Sequence, residues 1–237
     1  MTHTQFAPHR AIRAARILAN DPDDLPQVFT IIESLSFDTL QRIHDRMAST
    51  EQGRRLLAER PDIVDLLADR AALRKLPEGS LGRAYLAFVE SENISAEGIR
   101  AAGDKGMTHE VPVSKELEWV HARMRDTHDL WHAAVGYRGD VLGETALLGF
   151  TFAQTWNPAI ALIVAIGLLR TVGVAPEARR TILDGFRRGR AAAWLPGQDW
   201  ASMLALPVED VRRRLSLESP PVYTPIRSFE LKAAKAA

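Results

Sequence analysis

Apolar residues recur along this chain at spacings of three and four, the period of a helix with one buried face. "LPQVFTIIESLS" (25–36) and "FDTLQRIHDRMA" (37–48) both carry it, and Asp38 falls at the head of the second, where a short acidic side chain suits the helix dipole. Ahead of them, "RAIRAARILANDPDDL" (10–25) reads as a first helix halted at an Asp/Pro turn. Residues 49–80 predict short helices broken at Pro61 and Pro77. Ser80 then caps "LGRAYLAFVESEN" (81–93), where Leu81, Tyr85, Phe88 and Val89 share a face. The glycine-dense stretch "NISAEGIRAAGDKGMTHEVPV" (93–113) predicts an extended, partly exposed connection.

Ser114 opens a long helix, "SKELEWVHARMRDTHDLWHAAVG" (114–136), striped by Leu117, Val120, Met124 and Leu130 or Trp131 and stopped at Gly136. After the turn "YRGD", a second helix runs from about Asp140 to Trp156, and Asn157-Pro158 breaks it. Residues 145–176 then carry one charge, Arg170. Their apolar run "PAIALIVAIGLL" is too short for the ~20 residues that span a bilayer, so it reads as a buried central helix, with partial exposure to lipid left open. Two more helices follow: arginine-rich "PEARRTILDGFRRGRAAAWL" and short "LPVEDVRRRLSL", with Pro207 near its start. The tail 218–237, with three prolines, is expected to be loose. Alternating strand patterns and hairpin turns are absent from the sequence. The expectation is an all-α chain, one helical domain over 1–237 with its core at about 10–217 and an antiparallel helix pair at its centre.

Composition narrows the function. Lys+Arg and Asp+Glu both number 30, so the balanced charge argues against nucleic acid as a partner. Cysteine is absent, so a metal site must use imidazole and carboxylate. The amino-terminal stretch is too charged for a secretory signal. It shares traits with a transit peptide but reads better as a surface helix, and a cytoplasmic location is expected.

The densest chemistry lies in "THDLWHAAVGYRGDVLGE" (127–144). At about 100° per residue, His128, Asp129 and His132 fall within a quarter-turn, and histidines at i and i+4 have the spacing of helical zinc sites. His132 lies four residues before the expected stop and Glu144 four after the expected restart, each roughly 6 Å from the turn, so the two stand level in an antiparallel pair. Gly143 removes a side chain that would block the approach. Two imidazoles with carboxylates suit zinc, iron(II) or manganese alike. The alternative is a hydrogen-bonded polar cluster without metal. An acid that stays off the metal, Asp129 or Glu144, becomes the general base. His121 shares the face as an outer partner or an ordinary half-buried histidine, while His3, His9, His44 and His109 have no such neighbours.

His128, Asp129, His132 and, after eleven residues, Glu144 make up a pattern that resembles the coenzyme Q (ubiquinone) biosynthesis protein 4 family. "LPEGSLGRAYLAFVESENIS" (76–95), "MASTEQGRRLLAERPDI" (47–63) and, more loosely, residues 189–217 are similar to its flanking segments. The resemblance implies an all-helical fold and a divalent metal, usually described as zinc, on those four residues. It implies work on a polyprenylated aromatic substrate or other isoprenoid lipid: metal-dependent decarboxylation, simple or oxidative, of a 4-hydroxybenzoate-type ring precursor of ubiquinone. Other ubiquinone-biosynthesis proteins, peripheral contact with the inner membrane face and a homo-oligomer are the partners to expect. The alternative function is a non-catalytic prenyl-lipid-binding scaffold whose metal is structural. Arg83 is a candidate for meeting a substrate carboxylate, although a solvated arginine is the plainer reading.

Overall fold

Most of the expected helices form, and several start at a capping side chain that the sequence supplies. The computed structural model describes residues 7–21, 23–36, 38–107, 114–171 and 176–229. His3, His109 and the tail beyond 229 lie outside these. Among the described residues the fold is all-α, with no strand. The first helices are α1 (Pro8–Asn20), α2 (Leu25–Leu35), α3 (Thr39–Ala48), α4 (Glu51–Glu59), α5 (Val64–Ala68), α6 (Arg70–Lys75) and α7 (Leu81–Ser91). Then come α8 (Ala96–Gly106), α9 (Lys115–Asp126), α10 (His128–Val135), α11 (Val141–Thr155), α12 (Pro158–Thr171), α13 (Pro176–Ala191), α14 (Trp200–Met203) and α15 (Val208–Arg214). Ser80, Ser114 and Asp140 each accept a backbone N–H at the start of α7, α9 and α11.

The main core gathers around α7, α10 and α11, where Tyr85, Leu130, Trp131, Leu147 and Phe150 are buried with Trp200. Trp131 meets Phe150 edge-on, ring centroids 6.4 Å apart. The predicted stripe on α7 is this core face: Leu81, Tyr85 and Val89 are buried, with Phe88 packed beside them.

Four expectations are corrected. The connection at 93–113 contains a helix, α8. Ser95 caps it, Glu97 sits in its first turn, and it packs on α2, where the Thr30 hydroxyl donates to the Gly106 carbonyl at 2.8 Å. Tertiary packing outweighs the low helix propensity of its glycines. The single long helix at 114–136 is two, broken at Thr127, whose hydroxyl donates back to the Arg123 carbonyl at 2.8 Å.

The apolar helix α12 is not central. Ala159 and Ile163 are buried, but Leu169 is 80% exposed. Among the described residues no helix is long and apolar enough to cross a membrane. The tail, finally, is tied down as far as Arg227: Ile226 is buried, and its N–H donates to Asp140 Oδ1 at 2.8 Å. Three prolines stiffen this segment and leave it without helix, but they do not free it.

Two arginines face inward. Arg212 of α15 donates through Nε to the Ala134 carbonyl (2.8 Å) and through Nη2 to that of Ala133 (3.2 Å). Arg188 of α13 donates to the Val135 carbonyl at 3.0 Å. Together they satisfy the last carbonyls of α10, which lack helical partners and carry the negative end of its dipole. The short helix that bears both histidines is therefore fixed at its C-terminus by buried cations.

Candidate metal centre

α10 and α11 meet only near their shared turn, since α10 packs chiefly on α7 and α11 chiefly on α13. The expected antiparallel pair is thus a hairpin corner rather than a long seam, and the corner is where the site lies. Gly136 ends α10 with φ +94°, a left-handed conformation that glycine adopts at little cost. Asp140 restarts the chain by accepting the N–H groups of Leu142 and Gly143.

The level match predicted from the turn holds. His132 Nε2 stands 3.2 Å from Glu144 Oε1, and His128 Nε2 stands 3.7 Å from Glu144 Oε2. One ligand atom from each of the three residues falls within 4.8 Å of the others. Ligands at about 2 Å from a tetrahedral ion stand about 3.3 Å apart, so this spacing suits one cation. Gly143 has a different use from the one anticipated. A Cβ there would lie 2.1 Å from the Arg138 carbonyl oxygen and 2.4 Å from Tyr223 Oη, so glycine lets the turn and tail close over α11.

Outer contacts choose which nitrogen faces inward. His132 Nδ1 donates to the Tyr137 carbonyl at 2.9 Å, and His128 Nδ1 lies 3.3 Å from Asp129 Oδ1. Both rings therefore turn Nε2 toward Glu144, the arrangement in which a second partner fixes tautomer and ring plane for metal binding. Phe88 stacks on His132 with centroids 4.7 Å apart and planes 12° apart. The motif at 76–95 therefore reaches the site through Phe88. Neither that stack nor the Tyr137 carbonyl is signalled by the spacing of residues along the chain.

His132 Nε2 supplies the test of fit. It is buried without a hydrogen-bond partner, although a carboxylate oxygen lies 3.2 Å away. A neutral imidazole would aim a lone pair at that oxygen, and two acceptors face each other stably only with a cation between them. That cation is either a proton or a metal ion. Two nitrogens and a carboxylate match a borderline divalent ion. His132 is fully enclosed, whereas 21% of the His128 side chain and 41% of that of Glu144 remain exposed. The site has a closed floor and an open mouth.

Asp129 is 7% exposed and lies outside the trio, with Oδ1 on the outer nitrogen of His128. His121 is half-buried on α9, beyond the Thr127 break. Arg83 donates to the Arg74 carbonyl at 2.8 Å, its partner at the end of α6.

The electrostatics of the metal-free pair set a pH signature. Burial pulls the His132 pKa down, but Glu144, with Asp129 and the Tyr137 carbonyl, raises it above the ordinary 6.5. Burial pushes Glu144 up, and the two imidazoles override that and hold it at about 2, below its ordinary 4.5. The stabilisation from His132 is complete below 6.5 and lost as pH rises through its raised pKa. That from Glu144 is complete above 4.5 and lost as pH falls toward 2. Metal-free protein should therefore melt highest in the mildly acidic window between those limits, which thermal unfolding across pH checks. Metal uptake displaces the His132 proton, so affinity should weaken as pH falls below the raised pKa.

Comparison with known proteins gives an independent line. The sequence pattern of the family described as "Coenzyme Q (ubiquinone) biosynthesis protein Coq4" matches residues 10–221. "Ubiquinone biosynthesis protein COQ4, mitochondrial" of Paracoccidioides brasiliensis (strain Pb18) is 30% identical over 206 residues, which cover 84% of this chain and 67% of that protein. "Ubiquinone biosynthesis protein COQ4 homolog, mitochondrial" of Danio rerio is 32% identical over 192 residues, 80% of this chain and 68% of that one. The chain spans about two thirds of the length of these curated relatives. A crystal structure from Nostoc punctiforme PCC 73102, described as a ubiquinone biosynthesis protein, shares the fold. Its TM-score is 0.66 at 24% identity, over 91% of this chain and 100% of that one.

Proposed function

The chain belongs to the coenzyme Q (ubiquinone) biosynthesis protein Coq4 family, and from that premise we propose that it acts in ubiquinone biosynthesis as a metal-dependent enzyme. Its substrate on this reading is a polyprenylated 4-hydroxybenzoate-type ring, from which the carboxylate is removed. The observation that carries the reading is the buried, unpartnered Nε2 of His132 facing Glu144, with His128 closing the third corner.

His128, His132 and Glu144 hold the ion, zinc before iron(II) or manganese, because two imidazoles and one carboxylate form the donor set. A divalent ion bound there supplies Lewis acidity toward a ring oxygen or carboxylate. With three protein ligands and an exposed edge at His128 and Glu144, the centre resembles open sites more than closed structural ones. Of the two carboxylates expected to exchange protons, Glu144 is held as an anion and serves as a ligand. Asp129 orients His128 through Nδ1 and is left to deliver a proton to the ring carbon as carbon dioxide departs. Tyr137 and Phe88 keep His132 in place and keep water from its enclosed face.

The test follows a prenylated 4-hydroxybenzoate labelled in its carboxylate. Metal-loaded protein should release the label as carbon dioxide, and Asp129→Asn should slow release by about 100-fold or more while metal content stays near wild type. Metal-loaded protein that binds the compound without releasing label would contradict catalysis and assign the scaffold role instead.

A further inference from the structure

The metal hairpin is held together from outside by the C-terminal segment. Pro220 lies against Gly136, its Cβ 2.6 Å from where a Cβ of residue 136 would stand. Tyr223 Oη then accepts the Arg138 N–H at 2.9 Å and donates to Asp140 Oδ2 at 2.9 Å. Three residues further on, the chain closes a second link. The Ile226 N–H donates to Asp140 Oδ1 at 2.8 Å, and the Val141 N–H donates to the Ile226 carbonyl at 2.9 Å. Arg227 pairs with Glu92 at 2.9 Å, and Glu92 also accepts the N–H of Gly139 in the same turn.

These contacts fall on both halves of the centre. Arg138 follows Tyr137, whose carbonyl fixes the ring of His132. Asp140 caps α11, whose first turn carries Glu144. One hydroxyl thus spans the short stretch that sets His132 against Glu144. Resting on the metal reading above, we propose that Tyr223 is a positioning residue for the metal centre, its hydroxyl fixing the distance between the imidazole of His132 and the carboxylate of Glu144. Burial pushes the phenol pKa upward, so the hydroxyl keeps its proton and remains the donor to Asp140. The family pattern ends at residue 221, so Tyr223 lies outside it.

The phenol ring also has a packing role, since it lies 6.0 Å from that of Tyr137. Tyr223→Phe keeps the ring and deletes only the hydroxyl, so the two roles separate. The experiment titrates the full-length, metal-free chain and Y223F with cobalt(II). It records affinity and visible spectrum and follows far-ultraviolet dichroism of both proteins. Y223F should remain folded, bind cobalt(II) about 10- to 100-fold more weakly and shift the cobalt absorption bands, as loss of an orienting contact does. A purely structural tyrosine would leave the bands and the affinity unchanged. That result would overturn the proposal while the metal reading stands. A wild-type chain that takes up no cobalt would overturn both.

Discussion

Replacement of His132 by alanine is expected to abolish retention of a divalent metal. The wild-type chain, purified without chelator, should retain about one ion, and H132A should bind at least about 100-fold more weakly, beyond the usual cost of removing an outer partner alone. The deletion removes a ligand nitrogen and also leaves the Tyr137 carbonyl and the Phe88 ring without the imidazole they hold. Elemental analysis after gel filtration reads the outcome directly. Equal metal in both proteins would place any ion elsewhere. In the metal-free state the same substitution should abolish the loss of stability with rising pH, because that loss comes from the raised pKa of His132.

The largest effect on stability is expected at Arg188. Its guanidinium, 5% exposed, donates to the carbonyls of Val135 (3.0 Å), Ser219 (2.8 Å) and Glu218 (3.2 Å), and so joins α13, the end of α10 and the tail. Arg188→Ala leaves buried carbonyls without donors, which costs about 3 kcal/mol. For a chain of this size that corresponds to a Tm lower by roughly 6–12 °C. Arg188→Lys should recover only part of the loss, because one ammonium group cannot match a planar fork aimed at three carbonyls. Calorimetry of the two variants decides it, and an R188A protein that melts with wild type would show those bonds to be dispensable.

Much of this architecture was legible because local signals and tertiary contacts agreed. Asp140, Gly136 and Asn157-Pro158 mark the hairpin in the sequence and delimit it in the structure. The i, i+4 histidines and the level position of Glu144 follow from helix geometry alone, and the three ligand atoms converge as that geometry requires. Most of the misreadings arose where distant partners decide. The glycines of α8 speak against a helix locally, but packing on α2 favours one. Thr127 looks like an ordinary helix residue until its hydroxyl bonds back to Arg123. Nothing near Arg188 or Arg212 in the sequence reveals the carbonyls they cap. The same applies to the tail, whose partners Arg138 and Asp140 lie more than 80 residues upstream.

The placement of Asp129 also needed the fold. Rotation about the helix axis brings it within a quarter-turn of His128, but its Oδ1 settles on the outer nitrogen of that ring. Of the four residues grouped in the sequence, His128, His132 and Glu144 bring one potential ligand atom each together, and Asp129 lies next to them. That difference would matter chemically if an ion binds, because an acid beside it can move a proton while one bound to it is committed to the metal.

The most direct measurement is an anomalous difference map from crystals of zinc-loaded protein, collected on both sides of the zinc absorption edge. One strong peak is expected within about 2.0–2.2 Å of Nε2 of His128, Nε2 of His132 and a carboxylate oxygen of Glu144. A map with no peak there, and with His132 bonded to Glu144 through a proton, would contradict it.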